Sequence, residues 1–206
     1  TPLVFACKYG IHSPFLHFYF FPAIINHSIF HTNLCINQET RFIMAIELVK
    51  TYFHTFCRDT DILEFPVSSA TVELAAQAVG VEPARIAKTL SFYAPAESDG
   101  EEPSALLIVT AGDQKIDNSK FKHVFGKKAK MLAGEDVERL TGHAIGGVCP
   151  FANPSRTAVY LDQSLKRFAT VFPAAGSSNS AIELTCEELE HFSHAIGWIN
   201  VCKPIA

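Results

Sequence analysis

The chain has 206 residues, of which 48% are hydrophobic and 18% are charged, and its formal net charge is −4. This length suits one domain-sized core and is short for two. The mildly acidic balance excludes a broad electrostatic footprint for duplex nucleic acid, because non-specific phosphate binding needs clustered Lys and Arg. Any contact with nucleic acid is therefore expected to be local.

The first 43 residues differ in composition from the rest of the chain. They hold seven of the 17 Phe and four of the nine His, but only three charged residues. Their longest apolar stretch, over 15–25, is interrupted by His17 and Pro22 and falls short of the roughly 18 residues that a membrane span needs. We therefore expect no membrane association, an unmatched extension over 1–43 that is non-native or disordered, and a domain over 44–206 that starts at Met44.

The domain is predicted to open with two helices and a strand. Apolar positions recur at helical spacing over 71–79, and Gly80 stands where a helix stops. A brief helix over 84–87 is predicted to run into a strand over 89–93, because this second segment is rich in residues that favour strands. Lys88 falls at the junction between them.

The rest of the domain combines strands and helices in a mixed order. A polar turn over 97–103 precedes a continuous apolar run, which indicates a hairpin with a buried second strand over 105–110. Thr185 and Glu188 fit a capping box that opens a last helix through Ile196. The other predicted elements are helices over 118–124, capped by Asn118, and over 134–140, and strands over 128–132, 158–161, 170–172 and 182–184. We predict an α+β domain with a mixed, curved sheet.

Generic catalytic and metal-binding motifs are absent from the sequence. There is no phosphate-binding Walker loop, dinucleotide-binding glycine motif, zinc-protease motif or nucleophile elbow. A triad of Ser177, His143 and Asp162 is disfavoured, because scattered residues often match by chance. Six cysteines form no C-x-x-C pair, and His191 and His194 favour an exposed helix face, so no metal site or cofactor is predicted. This cysteine usage indicates a reducing compartment, the cytoplasm.

Two local patterns are more specific. Lys88 lies between a predicted helix and a predicted strand, and residues 146–150 form a G-x-x-x-P loop. Together with their neighbours, these patterns resemble the YbaK/ProX family of aminoacyl-tRNA deacylases in order and spacing, from about Thr51 to Leu189. The matching segments are 72–81, 86–90, 146–150, 159–162 and 175–184.

The resemblance implies a pseudo-barrel of mixed strands flanked by helices, no metal, and a pocket for the aminoacylated 3' end of tRNA. Lys88 matches the family's lysine, whose ammonium can hold the terminal phosphate or the ester carbonyl. Gly146 and Gly147 would let backbone amides approach the carbonyl and stabilise the oxyanion of ester hydrolysis. Substrate contacts are expected from Thr89, Val148, Cys149, Pro150 and Asp162. Since no basic residue adjoins Cys149 in the sequence, we expect this thiol to pack rather than to act as a nucleophile.

The activity implied by the resemblance is hydrolysis, in trans, of Ala- or Cys-charged tRNA for proline, with an aminoacyl-tRNA synthetase as a candidate partner. One alternative is a non-catalytic module that binds tRNA or a synthetase on the same scaffold. Another is an esterase-like pocket for a ligand other than tRNA. Six lysines either form a local phosphate-facing patch or a solvated surface. They are Lys115, Lys120, Lys122, Lys127, Lys128 and Lys130.

Overall fold

The computed structural model describes residues 44–95 and 102–205, so the expectations for residues 1–43 and for most of the turn over 97–103 lie outside the described residues. Five helices and ten strands occur in the described part. The helices are α1 (Ala45–His54), α2 (Val72–Val79), α3 (Asn118–Phe125), α4 (Gly134–Thr141) and α5 (Cys186–Ser193). The strands are β1 (Ile62–Glu64), β2 (Ile86–Tyr93), β3 (Ala105–Ala111), β4 (Gln114–Ile116), β5 (Ala158–Asp162), β6 (Thr170–Pro173), β7 (Ser180–Ile182), β8 (Leu184–Thr185), β9 (Gly197–Ile199) and β10 (Cys202–Pro204).

The main sheet has six strands in the order β8-β6-β2-β3-β5-β9. It is mixed, because β2 runs antiparallel to β3 whereas the β2–β6, β3–β5 and β5–β9 pairs are parallel. The sheet curls into a half-barrel beside the helices. Two antiparallel ladders, β1 with β7 and β4 with β10, complete the strand pairing of the described residues. The predicted α+β class with a mixed, curved sheet is confirmed.

Strand β3 passes through the hydrophobic core, and all seven of its residues are buried. Leu107 and Val109 belong to one apolar cluster, which includes side chains of α1 and α5, while Leu106 and Ile108 belong to a second cluster, which includes Phe121 of α3. Burial on both faces explains why this strand reads as a continuous apolar run instead of an alternating one. Each such side chain contributes about 1.5–3 kcal/mol by its burial, so β3 is a rigid support for β2 beside it.

The ends of α2 and α5 follow the predicted capping residues. The Thr71 hydroxyl accepts a hydrogen bond from the first turn of α2, and Gly80 closes that helix with a φ of 73°. Thr185 and Glu188 form the predicted capping box at the start of α5, each side chain accepting from the other's backbone N–H. These local bonds satisfy amides that a helix end would otherwise leave without partners.

Two predicted boundaries around β2 and α3 are wrong. Strand β2 begins at Ile86, directly after a 3₁₀ turn over Pro83–Arg85, so Lys88 is the third residue of a strand and does not lie at a helix junction. Helix α3 is capped by Asp117 and not by Asn118, because the Asp117 carboxylate accepts two backbone N–H groups of the first turn. The sequence pattern could locate these polar side chains only to within about one turn of the chain, whereas the structure assigns each of them to a defined position.

The C-terminal helix is also shorter than predicted. Helix α5 ends at Ser193, His194 adopts a left-handed φ of 48°, and Ile196 lies beyond the helix and is exposed. The single strand predicted over 182–184 is divided into β7 and β8, which pair with different neighbours. No helix in the described part of the chain has the length and apolar character needed to cross a membrane.

Candidate active site

A cavity of about 500 Å³ opens between the first turn of α2, strand β2 and the loop that follows α4. Val72 and Ala75 of α2 and Phe172 of β6 line it from one hydrophobic cluster, and Val137 and Val148 line it from another. The volume lies in the range of small-molecule sites, roughly 300–1,000 Å³. Its mostly apolar lining suits a small aliphatic group held among a few polar contacts.

The floor of the cavity is a short unpaired stretch of the β2 edge. β6 pairs with only the first two residues of β2, and the segment 130–132 hydrogen-bonds to the carbonyl of Ser91 and the N–H of Tyr93. Backbone groups of alternate residues point to the same side of a strand, so the N–H and C=O of Thr89 face this gap. The Thr89 hydroxyl is buried and has no hydrogen-bond partner among the described residues. Thr89 therefore offers its backbone N–H and C=O to a ligand, with its buried hydroxyl beside them.

Lys88 lines the same cavity and is half-buried. Its Nζ donates a hydrogen bond of 2.9 Å to the carbonyl oxygen of Gly112. Burial lowers the pKa of the Lys88 ammonium, and the neighbouring Cys202, Asp113 and Glu73 oppose that shift. An ammonium has three N–H donors and Gly112 takes one, so the group is held in place with donors left for a substrate.

Gly112 can sit beside Lys88 only because it has no side chain. A Cβ at this position would lie 2.1 Å from the carbonyl oxygen of Pro83 and 2.6 Å from Cγ1 of Val72. Val72 is the first residue of α2 and lines the cavity, and Pro83 begins the 3₁₀ turn that follows α2. The close approach of backbone to backbone at Gly112 therefore fixes α2 against the sheet and fixes the acceptor of Lys88 at the same time.

The two glycines of the G-x-x-x-P loop have different environments. Gly146 lines the cavity with a φ of 88°, and its N–H has no acceptor among the described residues. Gly147 is buried, and its N–H donates to the carbonyl of Ala144 at 2.9 Å. A Cβ on Gly147 would lie 2.9 Å from Cα of Ser177. Gly147 thus allows the loop to pack closely, while the amide of Gly146 is the one at the cavity.

The remaining residues of the G-x-x-x-P loop also differ in whether they line the cavity. Val148 lines the cavity, whereas Cys149 and Pro150 are buried and do not belong to its walls. The Cys149 sulfur lies 3.5 Å from Nε2 of His143, a neighbour that the residues adjoining Cys149 in the sequence do not indicate. The contact crosses six residues of chain and carries no pattern in the sequence. Burial raises the pKa of Cys149 to about 12, which opposes formation of a nucleophilic thiolate.

Asp162 lies away from the cavity. The residue is 2% exposed, and its two carboxylate oxygens accept the N–H groups of Ser164 and Val201, each at 2.9 Å. These bonds cap the 3₁₀ turn over Gln163–Arg167 and tie the end of β5 to the segment before β10. Of the five residues expected to contact a substrate, the structure brings Thr89 and Val148 together with Lys88, and it uses Asp162 elsewhere.

The mouth of the cavity is apolar and has a positive charge next to it. Met131 and Ile145 line the mouth and are 59% and 70% exposed. The Nζ of Lys130 lies 4.8 Å from the ring centroid of Tyr93, a cation–π contact beside Met131. The other lysines of the six are on β4, on α3 or between α3 and Lys130.

No group of three or more His, Cys, Asp or Glu that could hold a metal occurs among the described residues.

Sequence reasoning missed Gly112, His143 and the two mouth residues. Gly112 is followed by Asp113, a pair that indicates only a turn. Met131 and Ile145 at the mouth are apolar, so the sequence does not distinguish them from residues of the hydrophobic core. Their roles depend on contacts between distant segments. Of the predicted signals, the lysine of β2 and two residues of the G-x-x-x-P loop, Gly146 and Val148, line the cavity.

Comparison with known proteins identifies a family whose matched region contains this cavity. The model of the aminoacyl-tRNA editing domain family matches residues 67–192, a range that includes all the residues lining the cavity. The uncharacterised protein YwhH of Bacillus subtilis (strain 168) is 54% identical over 160 residues, which cover 78% of this chain and 98% of YwhH. A proline–tRNA ligase of Limosilactobacillus fermentum is 28% identical over 97 residues, which cover 47% of this chain and 17% of the ligase.

Two solved structures have the same fold. One is a protein proposed to be a trans-editing enzyme for prolyl-tRNA synthetase, with a TM-score of 0.66, 29% identity, and coverage of 77% of this chain and 97% of that protein. The other is the hypothetical protein APE2540, with a TM-score of 0.65, 26% identity, and coverage of 76% and 100%.

Proposed function

This chain belongs to the family of aminoacyl-tRNA editing domains, and we propose that it hydrolyses the ester bond of mischarged aminoacyl-tRNA in trans. The proposal is carried by the convergence, in one cavity, of Lys88, the unpaired edge at Thr89 and the free amide of Gly146. A cation and a backbone amide beside an apolar space suit an ester whose carbonyl oxygen becomes negatively charged during reaction.

In this mechanism the aminoacyl group occupies the apolar cavity, and its ester carbonyl accepts from the N–H of Gly146. Water adds to the carbonyl carbon, and the tetrahedral oxyanion is stabilised by that amide and by the ammonium of Lys88. Collapse of the intermediate breaks the bond to the ribose oxygen. The proton lost by the water goes to that oxygen, so the products are the free amino acid and tRNA with an intact ribose hydroxyl.

Among the described residues, no carboxylate or imidazole belongs to the walls of the cavity. We therefore assign the positioning of the water to backbone groups, such as the carbonyl of Thr89, and to the neighbouring hydroxyl of the substrate's own ribose. This arrangement makes binding geometry the main source of rate acceleration. It also makes the reaction specific for a ribose ester, because another ester would lack the second hydroxyl.

The proposed substrate is tRNA for proline that carries Ala or Cys. Small apolar walls such as Ala75, Ala174 and Ala181 fit a short side chain. The similarity to a proline–tRNA ligase, and to a structure proposed to edit in trans for prolyl-tRNA synthetase, supports the choice of tRNA. A synthetase discriminates poorly against a smaller amino acid by apolar contacts alone, since each missing methylene is worth only about 1–3 kcal/mol. A second hydrolytic site removes the resulting errors.

The test is the rate of deacylation by the full chain on Ala-, Cys- and Ser-charged tRNA for proline. Lys88→Met keeps the aliphatic stem and removes the charge, and we expect it to lower kcat by about 10²–10³-fold, as loss of an oxyanion donor does. Lys166→Met, at an exposed position of the 3₁₀ turn over Gln163–Arg167 and outside the six-lysine set, is the matched control and should retain the parental rate.

Parental turnover of at least one substrate, lost in Lys88→Met and kept in the control, supports the proposal. A folded parent that hydrolyses none of the three substrates but binds tRNA would replace it with the non-catalytic binding module. Equal turnover by the parent and Lys88→Met would keep the activity and remove Lys88 from its assigned role. Circular dichroism of each variant separates these results from loss of the fold.

A further inference from the structure

The buried imidazole of His143 joins the two ends of the G-x-x-x-P loop. His143 precedes the loop by three residues and is only 1% exposed. Its Nε2 lies 2.9 Å from the carbonyl oxygen of Phe151, the first residue after the loop. Its backbone N–H donates to the hydroxyl of Thr141, which in turn donates to the carbonyl of Val137 in α4. One side chain thus connects the C-terminal end of α4 to the far end of the loop.

A second side chain supports the same end of the loop. Nδ2 of Asn153 donates to the carbonyl oxygen of Cys149 at 3.2 Å. Between Phe151 and Asn153, Ala152 has a φ of 52°, a left-handed conformation that is unfavourable for alanine. Such strain persists where the surrounding structure determines it. Here the left-handed residue directs the Phe151 carbonyl to His143 and the Asn153 amide to Cys149.

The hydrogen bonding defines the role of the imidazole. A carbonyl can only accept, so Nε2 of His143 carries the hydrogen. Nδ1 of His143 and Oδ1 of Asn153 are buried without a hydrogen-bond partner among the described residues. Burial lowers the pKa of His143, and the hydrogen bond to the Phe151 carbonyl opposes that shift. The neutral form therefore leaves two acceptors unsatisfied, a cost that a purely space-filling residue would not have.

The cluster superficially resembles a Cys–His–Asn catalytic group, but its burial excludes that use. Cys149 has no exposed surface and does not line the cavity. A substrate placed among Val148, Thr89 and Lys88 has no path to the sulfur atom while the loop keeps this conformation. The cluster holds the loop and does not react.

We propose that His143 is a positioning residue that holds the G-x-x-x-P loop with the amide of Gly146 directed into the cavity. The inference rests on the proposed hydrolysis for its kinetic consequence, although the loop geometry itself does not. The donor on Nε2 is the essential feature, because it fixes the Phe151 carbonyl at the far end of the loop. Loss of that bond lets the loop move, and Gly146 then no longer meets the developing oxyanion.

The experiment compares His143→Phe, which keeps a ring of similar size without a donor, with His143→Gln, which keeps an N–H donor. We expect His143→Phe to lower kcat by between about tenfold and a hundredfold, the cost of displacing a catalytic group by an ångström, with KM unchanged. We expect His143→Gln to restore most of kcat. Parental kcat in folded His143→Phe, or equal losses in the two variants, would overturn the proposal.

A second readout does not depend on activity. The alkylation rate of Cys149 by iodoacetamide, followed by peptide mass spectrometry, reports whether the loop still covers the thiol. We expect Cys149 to be protected in the parent and in His143→Gln and to react in His143→Phe, while the exposed Cys57 reacts in all three. Unchanged protection in folded His143→Phe would show that His143 does not hold the loop.

The two proposals fail in different ways. If the parent hydrolyses no aminoacyl-tRNA, the proposed function fails, and the protection of Cys149 still decides the role of His143. If His143→Phe does not fold, His143→Leu, which also removes the Nε2 donor to the Phe151 carbonyl but places a flexible aliphatic side chain in the space, takes its place in both measurements. A lowered kcat with faster alkylation of Cys149 then supports the proposal, and parental values of both contradict it.

Discussion

Replacing Gly112 with Ala tests how closely the lysine of the cavity depends on backbone packing. The new Cβ would lie 2.1 Å from the carbonyl oxygen of Pro83, whereas real Cβ contacts stay above 3.0 Å, so that backbone must move by about 0.9 Å. Val72 must move as well, because its Cγ1 would be 2.6 Å away. Overpacking of this kind costs about 1–3 kcal/mol, and backbone obstacles favour the upper end of that range.

The same movement displaces the acceptor that holds Lys88. A shift of about 1 Å at a catalytic group costs on the order of 10²-fold in rate, so Gly112→Ala should reduce kcat by tens of fold or more. The free energy of unfolding, from urea titration, should fall by about 2–3 kcal/mol, and the Tm by roughly 4–12 °C at 2–4 °C per kcal/mol. Both effects should appear in one variant.

Gly197→Ala is the matched control, because nothing lies within 4 Å of a Cβ built on Gly197. It should change neither kcat nor the free energy of unfolding by more than the small effect of a surface substitution, about 0.5 kcal/mol. If Gly112→Ala behaves like this control, the close packing around Gly112 does not determine the position of Lys88, and the reasoning is refuted.

Two further predictions concern the mouth and the charge of the site. Met131→Ser and Ile145→Ser should each raise KM for aminoacyl-tRNA severalfold and leave kcat near the parental value, because both exposed apolar side chains lie at the mouth that the proposed substrate would pass. Each methylene removed from water is worth about 0.8 kcal/mol, so the loss of one or two such contacts gives an effect of this size. Steady-state kinetics on the two variants checks this, and a change confined to kcat would contradict it. Because burial lowers the pKa of Lys88 from its ordinary 10.5, kcat should fall as the pH rises through that lowered pKa, at a lower pH than for an exposed lysine. Stability should change with the opposite sign, since the unfolded chain binds more protons between the lowered pKa and 10.5. The contribution of Lys88 to the free energy of unfolding therefore increases with pH in that window, and denaturation of the parent and of Lys88→Met across it measures the difference.

The elements that could be predicted are those with local signals. Helix α2 has a capping threonine, a helical apolar pattern and a terminal glycine, and all three act within eleven residues of one another. Strand β3 is a continuous apolar run, and α5 has its capping box. In each case the residues that determine the element are neighbours in the chain.

The elements that could not be predicted depend on distant partners. Four strands have three residues each, too few for a periodic pattern: β1, β4, β9 and β10. They form because each pairs with another strand, β1 with β7, β4 with β10 and β9 with β5. The residues of the candidate site also divide into those with local sequence signals and those that depend on distant partners. Lys88 and the loop glycines are recognisable, whereas the Gly112 acceptor and the contact of His143 with Phe151 arise only when separate segments pack together.

The width of the gap in the β2 edge has a consequence for what can enter. A long exposed strand edge invites another chain to add a strand, and with it aggregation. Here β6 and the segment 130–132 cover β2 on either side of Thr89, so one residue's N–H and C=O remain available at the floor of a cavity. An extended peptide needs several consecutive backbone partners, whereas a single aminoacyl group needs one. The narrow gap therefore protects the sheet from strand addition, and under the proposed function it leaves room for one aminoacyl group.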